Sequence, residues 1–372
     1  LREISIYIHI PFCLKKCKYC NFYSIEILNE KNYFDIFIDS LIKEIKIWFS
    51  KLNNLRIKSI YFGGGTPSII HEKFYEKIFN EFNKFFDVSD IKEITIEANP
   101  ETVEKLKFKE LKKLGINRVS LGVQTFNDNF LYELGRVHNS KKIFEAMEIL
   151  KSIYENINID LIFGISGENL KILENDLTKA LYLEPKHISI YNLEFHKGTK
   201  LFDDLNIKKI YKWSEIKEKR GYLFIRNKLI NNGFIHYEIS NFSKDGFQSI
   251  HNLNYWLGGE YIGFGPSSYT FFKNTWYQNG NLHFYINSLD KNDLPFLKRE
   301  ILSNQKINKI LFILNLRLLS GVDLNKYKDL DDKFYEKLNN LIKEGLIIKI
   351  NNKIHLSIDG ILVSNRIFSD LL

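Results

Sequence analysis

The sequence predicts an α/β protein in which a parallel sheet is covered by helices. Three observations predict it. Short β-branched runs alternate with runs of helical period through the first two-thirds of the chain. The polar motifs fall mostly just after the β-branched runs. From about residue 297 the pattern changes to helices followed by a β-ribbon. Strand–helix alternation implies parallel strands, because each needs a crossover before the next. Barrels of this kind gather their active residues at the C-terminal ends of the strands.

The elements follow in order. Ile4–Ile10 alternates and reads as a strand, and Lys31–Phe49 has helical spacing. Ile57–Phe62 is a strand that ends in Gly63-Gly64-Gly65, followed by a helix over Phe74–Phe86. Glu93–Glu97 is a strand before Asn99-Pro100, and Val103–Leu114 a helix stopped by Gly115. Arg118–Gly122 is the fourth strand, with helices at Asn127–Leu134 and Lys141–Ile153 after it. Asn158–Phe163 and His187–Leu193 complete six strands, with helices at Leu170–Leu183 and Ile210–Asn232. These elements define a first region, 1–233. Residues 234–296 form a connecting region rich in aromatic residues, Gly and Ser, with short strand-like pieces. Residues 297–372 carry expected helices at Asn308–Leu319, Asp323–Lys328 and Asp332–Glu344. A ribbon of Leu346–Ile350 and Lys353–Ser357 turns at Asn351-Asn352, giving a winged-helix-like module.

Composition narrows the class. The chain has 372 residues, 44% hydrophobic and 26% charged, which suits a folded globular protein. Its net charge of +8 comes from 53 basic and 45 acidic residues. The lysines are scattered beside glutamates on amphipathic segments, so a solvated surface is expected and a nucleic-acid partner is disfavoured. No run of 18 apolar residues appears, and no basic-then-apolar leader. A cytoplasmic location is expected.

Cysteine usage is the most informative feature. The three cysteines all lie in one loop, as Cys13, Cys17 and Cys20, with spacing C-x3-C-x2-C. An odd, clustered set is a poor disulfide framework and a good metal framework. Three thiolates suit one face of an iron–sulfur cubane, leaving one iron for another ligand. Structural zinc wants four ligands, so it would need His9 or a distant histidine. Three plain buried thiols remain the third reading.

At this loop the sequence resembles the radical S-adenosylmethionine superfamily, and more narrowly the HemN/HemW family of coproporphyrinogen dehydrogenases and heme chaperones. The resemblance runs along nearly the whole chain. It implies a partial (β/α)6 TIM-like radical SAM barrel carrying a [4Fe–4S] cluster on Cys13, Cys17 and Cys20. It also implies bound S-adenosylmethionine. Gly63-Gly64-Gly65-Thr66-Pro67 resembles the family's GGGTP motif. Glycines there allow close backbone approach, and exposed N–H groups suit a ligand carboxylate. By the same resemblance Glu97 meets the cofactor's amino group, Gln124 its ribose side and Arg136 its carboxylate. Asp160 is a further pocket acid, Tyr7 packs beside the sulfonium, and Tyr19 shields the cluster. In such proteins one electron from the cluster cleaves the cofactor to an adenosyl radical.

Two features favour the chaperone branch. No extra cysteine follows Cys20-Asn21-Phe22, and His251-Asn252-Leu253-Asn254-Tyr255-Trp256 matches the HNxxYW signature of that branch. His251, Tyr255 and Trp256 are therefore candidates to bind heme, although a packed domain junction explains the same residues. The resemblance implies heme or porphyrin as ligand, a respiratory hemoprotein as acceptor, and a peripheral contact with its membrane. Coproporphyrinogen III dehydrogenation is the alternative activity. The sequence departs from the family at Ser166, His196 and Tyr269, where proline, glutamate and histidine are usual.

Overall fold

The computed structural model describes residues 1–27, 32–52, 54–327 and 329–372. Lys31 and Lys328, each at the end of an expected helix, lie outside the described residues. Strands β1 (Arg2–Ile10), β2 (Leu55–Gly64), β3 (Glu93–Ala98), β4 (Arg118–Gln124), β5 (Asn156–Phe163) and β6 (His187–Asn192) lie side by side in that order. Every neighbouring pair is parallel. Their crossovers hold helices α1 (Asn32–Phe49), α2 (Glu72–Phe82), α3 (Lys105–Lys113), α4 (Asp128–Glu133), α5 (Ser140–Lys151) and α6 (Leu170–Tyr182). Helices α7 (Lys200–Asn206) and α8 (Glu215–Asn231) follow β6. The short α7 was not anticipated from the sequence.

The strands alternate for a physical reason. Ile4, Ile6, Ile8, Ile60, Phe62, Ile94 and Ile96 are buried within the apolar core. The alternate residues Ser5, Ser59, Thr95, Ser120, Asn158 and Ser189 are buried too, but polar. Most of these polar groups pair with one another. Ser59 Oγ donates to Ser5 Oγ at 2.8 Å, and Asn158 Nδ2 donates to Ser120 Oγ at 2.7 Å. A buried polar face of this kind is stable only when its groups are hydrogen-bonded.

Residues 234–296 do more than connect. β7 (Ile235–Glu238) and β8 (Asn241–Ser243) extend the sheet antiparallel beyond β6, with β8 next to it. After α9 (Ile250–Trp256), β9 (Glu260–Phe264) returns to the other side and pairs parallel with β1. β10 (Tyr269–Phe272), β11 (Thr275–Asn279) and, after α10 (Leu282–Asp290), β12 (Phe296–Ile301) continue antiparallel. The result is a 12-stranded sheet in the order β12-β11-β10-β9-β1-β2-β3-β4-β5-β6-β8-β7. Its two end strands do not pair with each other, so the barrel stays open.

The C-terminal part comprises α11 (Asn304–Leu316), β13 (Val322–Asp323), α12 (Asp332–Lys343), β14 (Ile347–Ile350), β15 (Lys353–Leu356), α13 (Ile358–Leu362) and α14 (Ser364–Leu371). β13, β15 and β14 form a separate three-stranded sheet. The hairpin turns at Asn351, which adopts φ 53°. The expected helix from Asp323 is instead a strand residue followed by a single 3-10 turn over Leu324–Lys326. The apolar core runs from the barrel into this part without a break.

Glu44 ties these layers together. From α1 it accepts hydrogen bonds from Tyr285 Oη at 2.6 Å, the Gly265 amide at 2.9 Å and Asn279 Nδ2 at 2.7 Å. Burial nevertheless pushes its carboxyl up to about 7, from an ordinary value of 4.5. The folded state therefore binds this proton more tightly than the unfolded chain. The stabilisation is fully present below about 4.5 and is lost as pH rises through about 7. We expect the Glu44 contribution to the unfolding free energy to fall across that window by an amount on the order of a few kcal/mol. Glu44→Gln should flatten part of the slope. Buried Glu168 and Glu97, pushed up to about 8 and about 7 by the same effect, keep contributions of the same sign. An unchanged slope in the variant rules out Glu44 as a source.

Candidate functional site

The cysteine loop leaves β1 at the mouth of the barrel. Its first residues, Phe12–Cys13, pair with Ile25–Glu26, which closes the loop on itself. The Lys18 amide donates to the Leu134 carbonyl at 3.0 Å, and the Leu201 amide donates to the Lys18 carbonyl at 2.9 Å. Gly135, at φ +79°, makes this approach possible: a Cβ there would sit 3.3 Å from the Lys18 nitrogen. The three cysteines are free thiols, Cys13 buried and the other two partly buried. Burial raises the thiol pKa of Cys13 and of Cys20. Two donors face sulfur. Thr66 Oγ1 lies 3.7 Å from Cys13 Sγ, and Arg136 Nη1 lies 3.4 Å from Cys17 Sγ.

Among the described residues, no three His, Cys, Asp or Glu side chains close round a single ion. Three thiols on one loop, without a fourth cysteine and with two donors to sulfur, fit a larger cluster with an open position. Tyr19 lies between Cys17 and Cys20 in the loop, and its ring packs on a small apolar group that includes Phe130, Leu134 and Leu201.

The glycine run presses the end of β2 against this loop. A Cβ at Gly65 would lie 2.5 Å from the Phe12 carbonyl oxygen, and Gly64 adopts φ +114° against the His9 ring. The expectation that these amides stand open to a ligand carboxylate is corrected. The Gly65 amide donates to Ile10 and the Thr66 amide to Phe12, each at 2.7 Å. The Gly64 amide donates to Glu97 Oε2 at 3.2 Å. Backbone carbonyls take two of them and the Glu97 side chain takes the third.

Beside this run, side chains from successive strands converge. Glu97 also accepts from Tyr61 Oη at 2.8 Å, and burial pushes its carboxyl up to about 7. Tyr7 stacks on Tyr61 with ring centres 6.2 Å apart, and its hydroxyl meets His9 Nδ1 at 3.1 Å. Arg136 donates through Nη2 to Asn99 Oδ1 and to the Gly122 carbonyl, while its buried Nε has no partner among the described residues. Asn99 Nδ2 in turn donates to Thr66 Oγ1 at 3.0 Å. Gln124 sits at a bulge between β4 and β5 with φ 69°. Such a conformation costs on the order of 1–3 kcal/mol in a non-glycine residue and is typical of functional sites. Asp160 accepts from Ser120 Oγ and Asn158 Nδ2, each at 2.8 Å, and burial raises its carboxyl pKa. The unpaired Arg136 Nε and the buried carboxyl of Glu97 give the cradle groups suited to an amino-acid head.

Tyr61 and Asn99 were not singled out in the sequence. Asn99 stood within the quoted Glu97-Ala98-Asn99-Pro100 motif. Tyr61 lies level with Tyr7 in the β1–β2 register, a relation that only the pairing reveals.

His251 sits elsewhere, beneath the cradle, and is 1% exposed. Its Nδ1 meets Ser59 Oγ at 2.9 Å and its Nε2 meets Tyr255 Oη at 3.0 Å. Burial pushes its imidazole down to about 3, so it is neutral. In this arrangement neither ring nitrogen is open to iron. Tyr255 and Trp256, by contrast, wall a cavity of about 450 Å³ together with Tyr261, Phe271, Trp276 and Leu311. A second cavity, of about 480 Å³, lies beside the cysteine loop between Phe12, Tyr23 and His283.

The three departures are all placed. Ser166 Oγ accepts from the Tyr211 amide at 3.0 Å, and His196 contacts Glu194 at 3.2 Å on the surface. Tyr269 opens β10 and is half exposed.

An open parallel barrel with three cysteines in the loop after its first strand defines a class, and residues 7–180 match the model of the radical SAM superfamily. That family implies a [4Fe–4S] cluster and S-adenosylmethionine. The chain is 34% identical to "Heme chaperone HemW" of Bacillus subtilis (strain 168), over 99% of each chain. It is 33% identical to the protein of that name from Escherichia coli (strain K12), over 71% of this chain and 69% of that one. The solved structure described as "Coproporphyrinogen III oxidase (HemN) from Escherichia coli is a Radical SAM enzyme" superposes with a TM-score of 0.83. It covers 100% of this chain and 90% of that one at 22% identity, a likeness of fold. The chain belongs to the HemW family of radical SAM proteins.

Proposed function

We propose that this protein is a heme chaperone: it binds heme and passes it to a respiratory hemoprotein. The observation that carries the reading is the full-length similarity to relatives named heme chaperone HemW. The aromatic cavity at Tyr255 and Trp256 supports it with a volume in the range of ordinary ligand pockets. Cys13, Cys17 and Cys20 hold a [4Fe–4S] cluster. Glu97 receives the amino group of S-adenosylmethionine, and Arg136 its carboxylate through a planar fork suited to that anion. Gln124 and Asp160 line the ribose side, Tyr7 borders the sulfonium, Gly64, Gly65 and Thr66 shape the wall, and Tyr19 screens the cluster. When bound, cluster and cofactor together supply one-electron reductive chemistry. Tyr255 and Trp256 face the macrocycle, while His251 supports them from behind.

The acceptor lies in or at a membrane, and the chaperone meets it from the cytoplasmic surface. No helix among the described residues is long and apolar enough to cross a membrane.

One assay tests the reading. The cluster is reconstituted without oxygen, and heme, coproporphyrinogen III, S-adenosylmethionine and a reductant are supplied. We expect about one heme bound per chain by absorbance and no vinyl product by mass analysis. Efficient conversion to protoporphyrinogen IX overturns the chaperone reading in favour of a dehydrogenase.

A further inference from the structure

Helix α9 is clamped at both ends. The Glu93 carboxylate accepts from Ser249 Oγ at 3.3 Å and from the Ile250 and His251 amides at 2.8 and 2.9 Å. At the other end Asn315 Nδ2 donates to the Trp256 carbonyl at 2.7 Å, joining α9 to α11. A helix held this way transmits a change in one of its side chains to whatever touches the others.

The proton arrangement along α9 is determined by its neighbours. Ser59 Oγ gives its proton to Ser5 Oγ, so it accepts from His251 Nδ1–H. His251 Nε2 is then the bare nitrogen and accepts the proton of Tyr255 Oη. The imidazole face stacks on Tyr61 with ring centres 4.9 Å apart and planes 29° apart. Tyr61 Oη donates to Glu97. Direct contacts thus run from Tyr255 on the cavity wall, through His251 and Tyr61, to Glu97 in the cradle.

We propose that α9 couples the two sites: a planar tetrapyrrole in the aromatic cavity and S-adenosylmethionine in the cradle tighten each other's binding. The cavity ligand follows from the heme-chaperone reading and the coupling rests on it. Tyr255 is the moving part. Its ring meets His251 and Tyr261 edge-on, with centres 4.8 and 4.6 Å away; rotation out of this seat strips Nε2 of its partner and loosens the stack that holds Tyr61 against Glu97. A macrocycle packed on the Tyr255 ring excludes that rotation. His251 and Tyr61 are positioning residues, and coupling between ligands is reciprocal by linkage.

The test uses the full chain with its cluster reconstituted. The Kd for S-adenosylmethionine is measured by calorimetry without porphyrin, with saturating heme, and with metal-free protoporphyrin IX. We expect roughly fivefold tighter binding or more with either porphyrin, and the same factor in the heme Kd when S-adenosylmethionine is added. Ser59→Ala touches neither ligand but removes the acceptor that sets the His251 proton, and it should bring the factor close to one. Tyr255→Phe removes the hydroxyl and should do the same, with its heme titration recorded alongside; it serves alone if Ser59→Ala does not fold. Bound heme with an unchanged or weaker S-adenosylmethionine Kd overturns the coupling and leaves the chaperone reading intact. Coupling undiminished in both variants overturns the route through α9. Failure of every porphyrin to bind overturns the chaperone reading, and the coupling with it.

Discussion

Replacing any one of Cys13, Cys17 or Cys20 by alanine is expected to abolish cluster assembly, with iron and sulfide contents falling to near zero. The chain has no fourth cysteine to take over a vacant position. The loop is pinned to Leu134 and Leu201 through Lys18 and cannot slide to bring another donor forward. Cys13 is the most severe case, because it is buried and its sulfur faces Thr66. The fold should survive, since the loop contributes little of the apolar core. The measurement is iron and sulfide per chain after anaerobic reconstitution, beside a thermal unfolding curve of the apoprotein. A single variant that keeps full iron would show that the three thiols are not the ligand set.

The second large effect is expected at Arg136. It reaches Cys17, Asn99 and the Gly122 carbonyl with two of its nitrogens, and its third is buried and unpaired among the described residues. Lysine carries the charge but not the fork, so Arg136→Lys should weaken S-adenosylmethionine binding by about tenfold or more. Arg136→Leu leaves the same acceptors buried without a donor. Truncating one partner of a buried charged pair costs on the order of 2–5 kcal/mol, or roughly 30-fold and upward in Kd. Iron content is measured in the same samples, because Arg136 also faces a cluster sulfur. Affinity within about threefold of wild type in a fully loaded Lys variant, far below that expected loss, would remove Arg136 from the carboxylate site.

The cluster loop was legible in the sequence because its chemistry is local. Three cysteines within eight positions meet whatever the rest of the chain does. The alternation of β-branched and helical segments likewise gave the six parallel strands within a few residues of their observed ends. The cradle was legible only as an ordered series of motifs. Nothing in Glu97, Tyr61, Asn99 or Arg136 taken singly says that Tyr61 meets Glu97 or that Arg136 meets Asn99; they do so because β2, β3 and β4 are adjacent in the sheet and the turn after α4 brings Arg136 to the Gly122 carbonyl of β4. The glycine run shows the opposite outcome. Its backbone amides read as open donors, but backbone carbonyls and the Glu97 carboxylate already hold them.

By itself the sequence determined the α/β class, the thiol set and the motifs that mark this family, because these depend on residue type and short spacing. Only the tertiary structure decided that residues 234–296 supply strands to both edges of the barrel, and that β9 pairs with β1 across some 250 positions. It also decided that His251 is buried beneath the cradle while Tyr255 and Trp256 face a cavity. The reason is physical. A period-two pattern shows which residues share a face, but the neighbour that each face meets is set by long-range pairing and by the burial it secures.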